Sequence, residues 1–144
     1  MQQFKILNPE NYADIELLKK FVASAGNSLL SFRYFSSRPL DVIKNHLLTV
    51  LLLDAEDPIA YGHLDKEEET IWLGIAVVQN ETGKGVGSRM MKHLLQYTAE
   101  KNYQTIYLSV DKTNVNAIEL YKKFGFTIQK DISASVHLMK FNEL

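Results

Sequence analysis

The alternation of apolar and polar positions changes period several times along this chain, and each change marks an element. Gln3 to Leu7 alternates and predicts a first strand. Asn8-Pro9, with Asn11 or Asp14 as start signal, precedes a helix whose apolar positions include Ile15, Leu18 and Val22 and which should end by Gly26. Arg38-Pro39 opens a short helix to about Lys44. The apolar run Leu47 to Asp54, a turn at Glu56 to Pro58 and the stretch Ile59 to Leu64 form a hairpin. The acidic segment Lys66 to Glu69 returns the chain into a buried strand, Ile71 to Val78. The helix Val86 to Lys101 follows, with Met90, Met91, Leu94, Leu95 and Thr98 on one face. A strand at Thr105 to Val110 completes a βαβ unit, whose crossover is right-handed and sets its two strands parallel. A helix at Asn114 to Phe124 and a hairpin, Phe126 to Ile132 with Val136 to Phe141, close the pattern. The elements predict a mixed α/β (α+β) fold in a single domain, residues 1–144, without repeats or linkers.

Between the strand ending at Val78 and the helix starting at Val86 lies Thr82-Gly83-Lys84-Gly85-Val86-Gly87-Ser88. The first amides of a helix lack intrahelical acceptors and sit at the positive end of its dipole, so they can hold a phosphate by backbone alone. Glycine removes the Cβ that would shield them and permits positive φ. The loop is neither a Walker sequence, because Lys84 is followed by Gly85, nor a good dinucleotide fingerprint, which needs Gly at Ser88 and a larger sheet behind it. Asp111, after the next strand, is nevertheless about where a ribose-binding acid would sit.

Gly85 and Gly87 occupy the two small positions of the acyl-CoA-binding signature of the GNAT superfamily of N-acyltransferases, and the stretch resembles it. Thr82 departs from the usual Gln or Arg. After the strand Thr105 to Val110, the residues Asn114, Ala117, Ile118, Leu120, Tyr121, Lys123, Gly125 and Phe126 resemble the same superfamily's second signature. The resemblance covers roughly residues 71 to 126. It implies a GNAT-like domain with a central twisted mixed sheet of about six to seven strands and about four flanking helices. It implies acetyl-CoA as acetyl donor, bound through the diphosphate at Thr82, Gly83, Lys84, Gly85, Val86, Gly87 and Ser88. Ile75 and Val77 would pair their backbone with the pantetheine arm as an added strand would, and Asn114 would sit near the cofactor. Each has a plainer reading: a flexible loop, a core strand, a helix cap at Asn114.

Composition narrows the field only a little. A chain of 144 residues fits one domain. A net charge of −1 offers no field for nucleic acid, and no nucleic-acid partner is expected. The absence of cysteine removes disulfides, a thiolate nucleophile and Cys-based zinc sites. No apolar run approaches a membrane span and the amino terminus lacks a signal-peptide core, so the default expectation is a cytoplasmic protein that engages no membrane, as monomer or homodimer.

Expulsion of a thiolate during acetyl transfer to an amine is helped by a proton donor near sulfur. The resemblance puts Tyr121 in that role, whereas spacing alone makes it a helix-face aromatic packing beside Ile118 and Phe124. An acceptor ammonium must first lose a proton. His63, Asp65, Glu67, Glu68 and Glu69 cluster around one strand pair, and His63 is the selected catalytic candidate beside a structural reading. His46, His93 and His137 are scattered without ligand spacing, so no metal is expected. Ser31 to Pro39 interleaves aromatics with Arg33 and Arg38, and Arg33, Tyr34 and Arg38 are the candidate acceptor residues. This segment resembles acetyltransferases of bacterial polysaccharide synthesis, implying an amino sugar or nucleotide-linked sugar within the broader class of small-molecule amines. Protein amine acetylation and a silent acyl-CoA-binding module are the alternatives.

Overall fold

The computed structural model describes residues 1–26, 34–36 and 38–142. Their order is β1 (Gln2–Ile6), α1 (Tyr12–Ser24), short 3-10 turns at Tyr34–Ser36 and Leu40–Asn45, β2 (Leu48–Asp54), β3 (Asp57–Glu67) and β4 (Thr70–Val77). A third 3-10 turn at Gln79–Glu81 precedes α2 (Val86–Glu100), β5 (Thr105–Asp111), α3 (Val115–Lys123), β6 (Phe126–Ser133) and β7 (Val136–Phe141). The strands form one seven-stranded sheet ordered β1-β2-β3-β4-β5-β7-β6. Every neighbouring pair is antiparallel except β4 with β5.

The described residues contain three α-helices. The expected helix after Pro39 is the six-residue 3-10 turn Leu40–Asn45, which has no side-chain cap and ends in extended backbone at His46. Strand β3 also runs further than its apolar pattern predicts, because pairing with β4 continues to Glu67 opposite Thr70. The turn is left to Glu68, at φ 56°, and Glu69.

Helix α1 begins where Asn11 accepts a hydrogen bond from the Asp14 amide (3.2 Å). It covers one face of the sheet, with Phe21 and Tyr61 rings 5.8 Å apart. The opposite face is covered by α2, which buries Val86, Met90, Met91, Leu94 and Thr98 and leaves Leu95 only partly covered. Helix α3 lies beside it, with Ile118 and Tyr121 turned inward. A Cβ on Gly87 would stand 3.1 Å from Leu120 Cδ2, so the α2–α3 approach depends on that glycine.

The feature that positions the site is a failure of pairing. The parallel ladder of β4 with β5 covers only Thr70, Ile71 and Trp72 opposite Thr105, Ile106 and Tyr107. Beyond Trp72 the strands diverge. On its other side β4 stays paired with β3 along its whole length. Val78 N donates to Ile59 O (3.0 Å). By antiparallel alternation, Ala76, Gly74 and Trp72 therefore direct their backbone groups to β3, and those of Ile75 and Val77 point into the cleft left by β5.

Candidate active site

The cleft opens into a cavity of about 960 Å³, lined by β4 from Trp72 to Val77, the glycine loop, Ser109 to Asp111 of β5 and the inner side of α3. Two kinds of surface meet there.

At one end lies the start of α2. Gly83 (φ 81°) and Gly85 (φ 80°) are left-handed, and nothing lies within 4 Å of where their Cβ atoms would be. Glycine is needed here for backbone conformation and open amides rather than for space. Gly85 is the N-cap and no side chain caps the helix. The Arg89 amide donates to Gly85 O (3.1 Å) as the first helical bond, leaving the amides of Val86, Gly87 and Ser88 as the helix's orphan donors. Gly85, Gly87 and Ser88 line the cavity. The other loop residues separate. Thr82 lines the cavity but its hydroxyl donates back to Gln79 O (2.9 Å). Lys84 pairs with Glu81 (3.4 Å) and does not line the cavity. The Val86 side chain is buried in the core, so only its backbone remains for a ligand.

Ile75, Val77, Asn114 and Tyr121 all line the same cavity. Asn114 caps α3, its side-chain oxygen accepting from the Ala117 amide (3.3 Å). Tyr121 is 7% exposed and packs against Phe126 with ring centroids 6.1 Å apart. Burial pushes its phenol up to about 12, so it keeps its proton throughout the neutral range.

At the other end the surface is made of side chains. His63 is 4% exposed, bonded through Nδ1 to the Tyr61 hydroxyl (2.6 Å). Its ring lies on Gly74, where a Cβ would be 2.5 Å from His63 Cε1. The Tyr34 and His46 rings each lie 4.5 Å from it. The Tyr34 hydroxyl hydrogen-bonds His46 Nε2 (2.5 Å), and His46 Nδ1 pairs with Thr49 Oγ1 (2.9 Å). Burial, then the nearby His46 and Arg38, hold His63 well below the usual imidazole value. Burial with Arg38 brings His46 down to about 4. Both are neutral at pH 7. Burial raises Asp65, outweighing the Lys66 backbone hydrogen bond and Arg38, which lower it.

Tyr34, Arg38 and His63 thus meet at one mouth, whereas Arg33 lies outside the described residues. Arg38 is spoken for locally: its guanidinium lies 4.3 Å from the Tyr34 ring centroid and Nη1 donates to Tyr34 O (3.0 Å). Of the remaining histidines, His93 stacks on Phe4 and His137 pairs with Asp131 (2.8 Å); neither lines the cavity. Among the described residues no group of three or more His, Asp or Glu is arranged to hold a metal ion. Nor is any helix among the described residues long and apolar enough to cross a membrane. Sequence reading missed Trp72, Gly74 and Ser109 as lining residues. An isolated glycine inside a strand signals a close approach, and alternation from Gly74 puts Trp72 on its face.

A cleft between two parallel strands, closed at one end by a glycine-rich helix start, is the arrangement that the resemblance to the GNAT superfamily implies. The comparisons agree. A profile of the Acetyltransferase (GNAT) family matches residues 15–126, more than half of the chain, and the protein belongs to that family. It is 33% identical over 82 residues to the spermine/spermidine N(1)-acetyltransferase of Bacillus subtilis (strain 168), covering 56% of this chain and 54% of that protein. It is 48% identical over 46 residues to the probable N-acetyltransferase san of Drosophila melanogaster, covering 31% and 24%. The chain thus spans about half the length, or less, of these curated relatives. The GNAT domain of S. lividans PAT superposes with a TM-score of 0.81 at 16% identity, covering 99% of this chain and 90% of that one. The PaiA N-acetyltransferase of Thermoplasma acidophilum, in complex with coenzyme A, superposes at 0.76 with 15% identity, covering 99% of both. At such identities the likeness is one of fold.

Proposed function

We propose that the protein transfers acetyl from acetyl-CoA to the primary amine of a small molecule, directly within a ternary complex. The observation that carries this reading is the convergence in one cavity of the orphan amides of α2, the unpaired edge of β4 and the buried phenol of Tyr121. The α2 amides would hold the donor's diphosphate, and the Ile75 and Val77 backbone would pair with the amides of its pantetheine arm. Tyr121 would donate to the sulfur as negative charge develops there, with a proton that its raised value keeps in place. Asn114 would brace the start of α3 beside the thioester.

In this reading His63 is not the base. His63 is held neutral far below its ordinary value and one nitrogen is engaged by Tyr61, so it takes up a proton poorly. In this reading His63 shapes the acceptor mouth, and the acceptor's proton leaves to water there. The amino-sugar or nucleotide-linked-sugar acceptor draws little support from the described residues, since Tyr34 is bonded to His46 and Arg38 to the Tyr34 carbonyl.

The test is thiol release from acetyl-CoA across a panel of amino sugars, amino acids, linear amines and peptides. Turnover with a small amine supports the reading. Tight CoA binding without thiol release from any amine leaves a silent binding module, and turnover confined to peptides makes the acceptor a protein.

A further inference from the structure

On the sheet face opposite α2 and α3, the acceptor mouth at His63 and Gly74 continues into a surface to which the reading above gives no role. Register places His63, Asp65 and Glu67 of β3 beside Gly74, Trp72 and Thr70 of β4 on this face. Trp72 in turn lies beside Tyr107 of β5, ring centroids 5.6 Å apart. Asp65 stands directly across from Trp72 and Glu67 diagonally from it, distances of roughly 5 to 8 Å between side-chain origins. Trp72, Asp65 and Glu67 all line the cavity.

The charge along the described lining is one-sided. Arg38 is its only Lys or Arg, against Asp65, Glu67, Glu81 and Asp111. Arg38 is held on Tyr34, and Glu81 already has Lys84. On the far side of the aromatic pair, Lys140 sits over Tyr107 rather than Trp72, 5.9 Å from the ring centroid. The indole of Trp72 is thus left beside two carboxylates, and an indole face is the best aromatic partner for a cation. Asp65 is raised by burial in spite of Arg38, so an added positive charge beside it is favourable.

Resting on the transferase reading, we propose that Trp72, Asp65 and Glu67 form a subsite for a second positive charge on the acceptor. The preferred acceptors are then linear diamines and longer linear amines rather than anionic sugars. The reacting nitrogen lies at the strand divergence beside Gly74, and the second nitrogen over Trp72, two residues away along β4, or roughly 7 Å.

Steady-state kinetics with straight-chain α,ω-diamines of increasing length, the matching monoamines and an amino-sugar phosphate test this. The expected result is a kcat/KM about tenfold or more higher for the best diamine than for its monoamine, shrinking as salt is raised. Asp65→Asn, Glu67→Gln and Trp72→Leu should each move the diamine-to-monoamine ratio toward one. Equal kcat/KM for diamine and monoamine, a ratio untouched by all three variants, or preference for the amino-sugar phosphate overturns the subsite. If no amine releases thiol, the transferase reading fails by itself, and calorimetry of diamine binding to the CoA-loaded protein then decides. Diamine binding weakened by Asp65→Asn supports the subsite, and its absence overturns it.

Discussion

The two ends of the cavity present different surfaces. The end proposed for the donor presents backbone: three amides at the start of α2 and the edge of β4, supported by glycines and by a strand that has lost its neighbour. The end proposed for the acceptor presents side chains that reach one another only through the tertiary fold: Tyr34 from the 3-10 region, backed by His46, with His63 and Asp65 from β3 and Trp72 from β4. A backbone site tolerates many sequences as long as a few small residues remain, whereas a side-chain site changes its ligand with each substitution. One fold can therefore keep its donor and vary its acceptor.

That contrast breaks first at Tyr121, which belongs to neither end. Tyr121→Phe keeps the ring against Phe126 and removes the proton donor, so kcat should fall by a factor on the order of 10² to 10⁴. Acetyl-CoA affinity, measured by calorimetry, should barely move. Full activity would return the tyrosine to core packing.

The donor end is sharpened by its glycines. Gly85→Val forces a branched residue to φ 80° and covers the α2 amides, so CoA should bind about tenfold or more weakly, with a stability loss of about 1 to 2 kcal/mol. Gly87→Val, by contrast, presses on Leu120 and should lower the melting temperature through an overpacking cost of about 1 to 3 kcal/mol. Gly87 is thus a poorer probe of phosphate binding than the sequence suggests. Unchanged CoA affinity in a folded Gly85→Val protein would remove the cradle.

At the acceptor end, Gly74→Ala drives a methyl into the His63 ring. The loss of stability should be about 1 to 3 kcal/mol, and the acceptor KM should rise while that for acetyl-CoA holds. If both KM values rise together, the two ends are not separable.

Acidity gives a subtler separation. With His63 neutral and buried, turnover should climb with pH as the acceptor amine deprotonates, without a step near 6.5. Stability behaves differently. His46 binds its proton near 4 when folded and near 6.5 when unfolded, so between those values the unfolded chain holds more protons. Stability is therefore lost as pH falls from about 6.5 to about 4, and denaturant titrations of His46→Gln should show a flatter profile there. The smallest effect is expected for Arg38→Ala, less than about tenfold on the KM of a cationic acceptor; a larger rise confined to anionic acceptors would restore the sugar reading.

Much of this was legible in the chain itself. Met90, Met91, Leu94 and Thr98 define the buried stripe of α2 by spacing alone; Gly83 and Gly85 answer to a left-handed backbone, whereas Gly87 answers to the approach of Leu120, which local sequence does not announce. Tyr121 needed the surrounding signature, since its spacing is that of ordinary packing. The acceptor end was half legible for a physical reason. Asp65 becomes the neighbour of Trp72 only through strand register, and His63 loses its basicity through burial first and then the nearby His46 and Arg38, all set by the tertiary fold.

The divergence of β4 from β5 also has a signature in time. Along one strand, the amides of Gly74 and Ala76 are locked into the ladder with β3, while those of Ile75 and Val77 face the cleft. In deuterated water the strand should take up label in alternate positions, quickly at 75 and 77 and slowly at 74 and 76. A donor that completes the edge would silence the fast pair and leave the slow pair as it was, making β4 a clock for occupancy that runs without any chemistry at all.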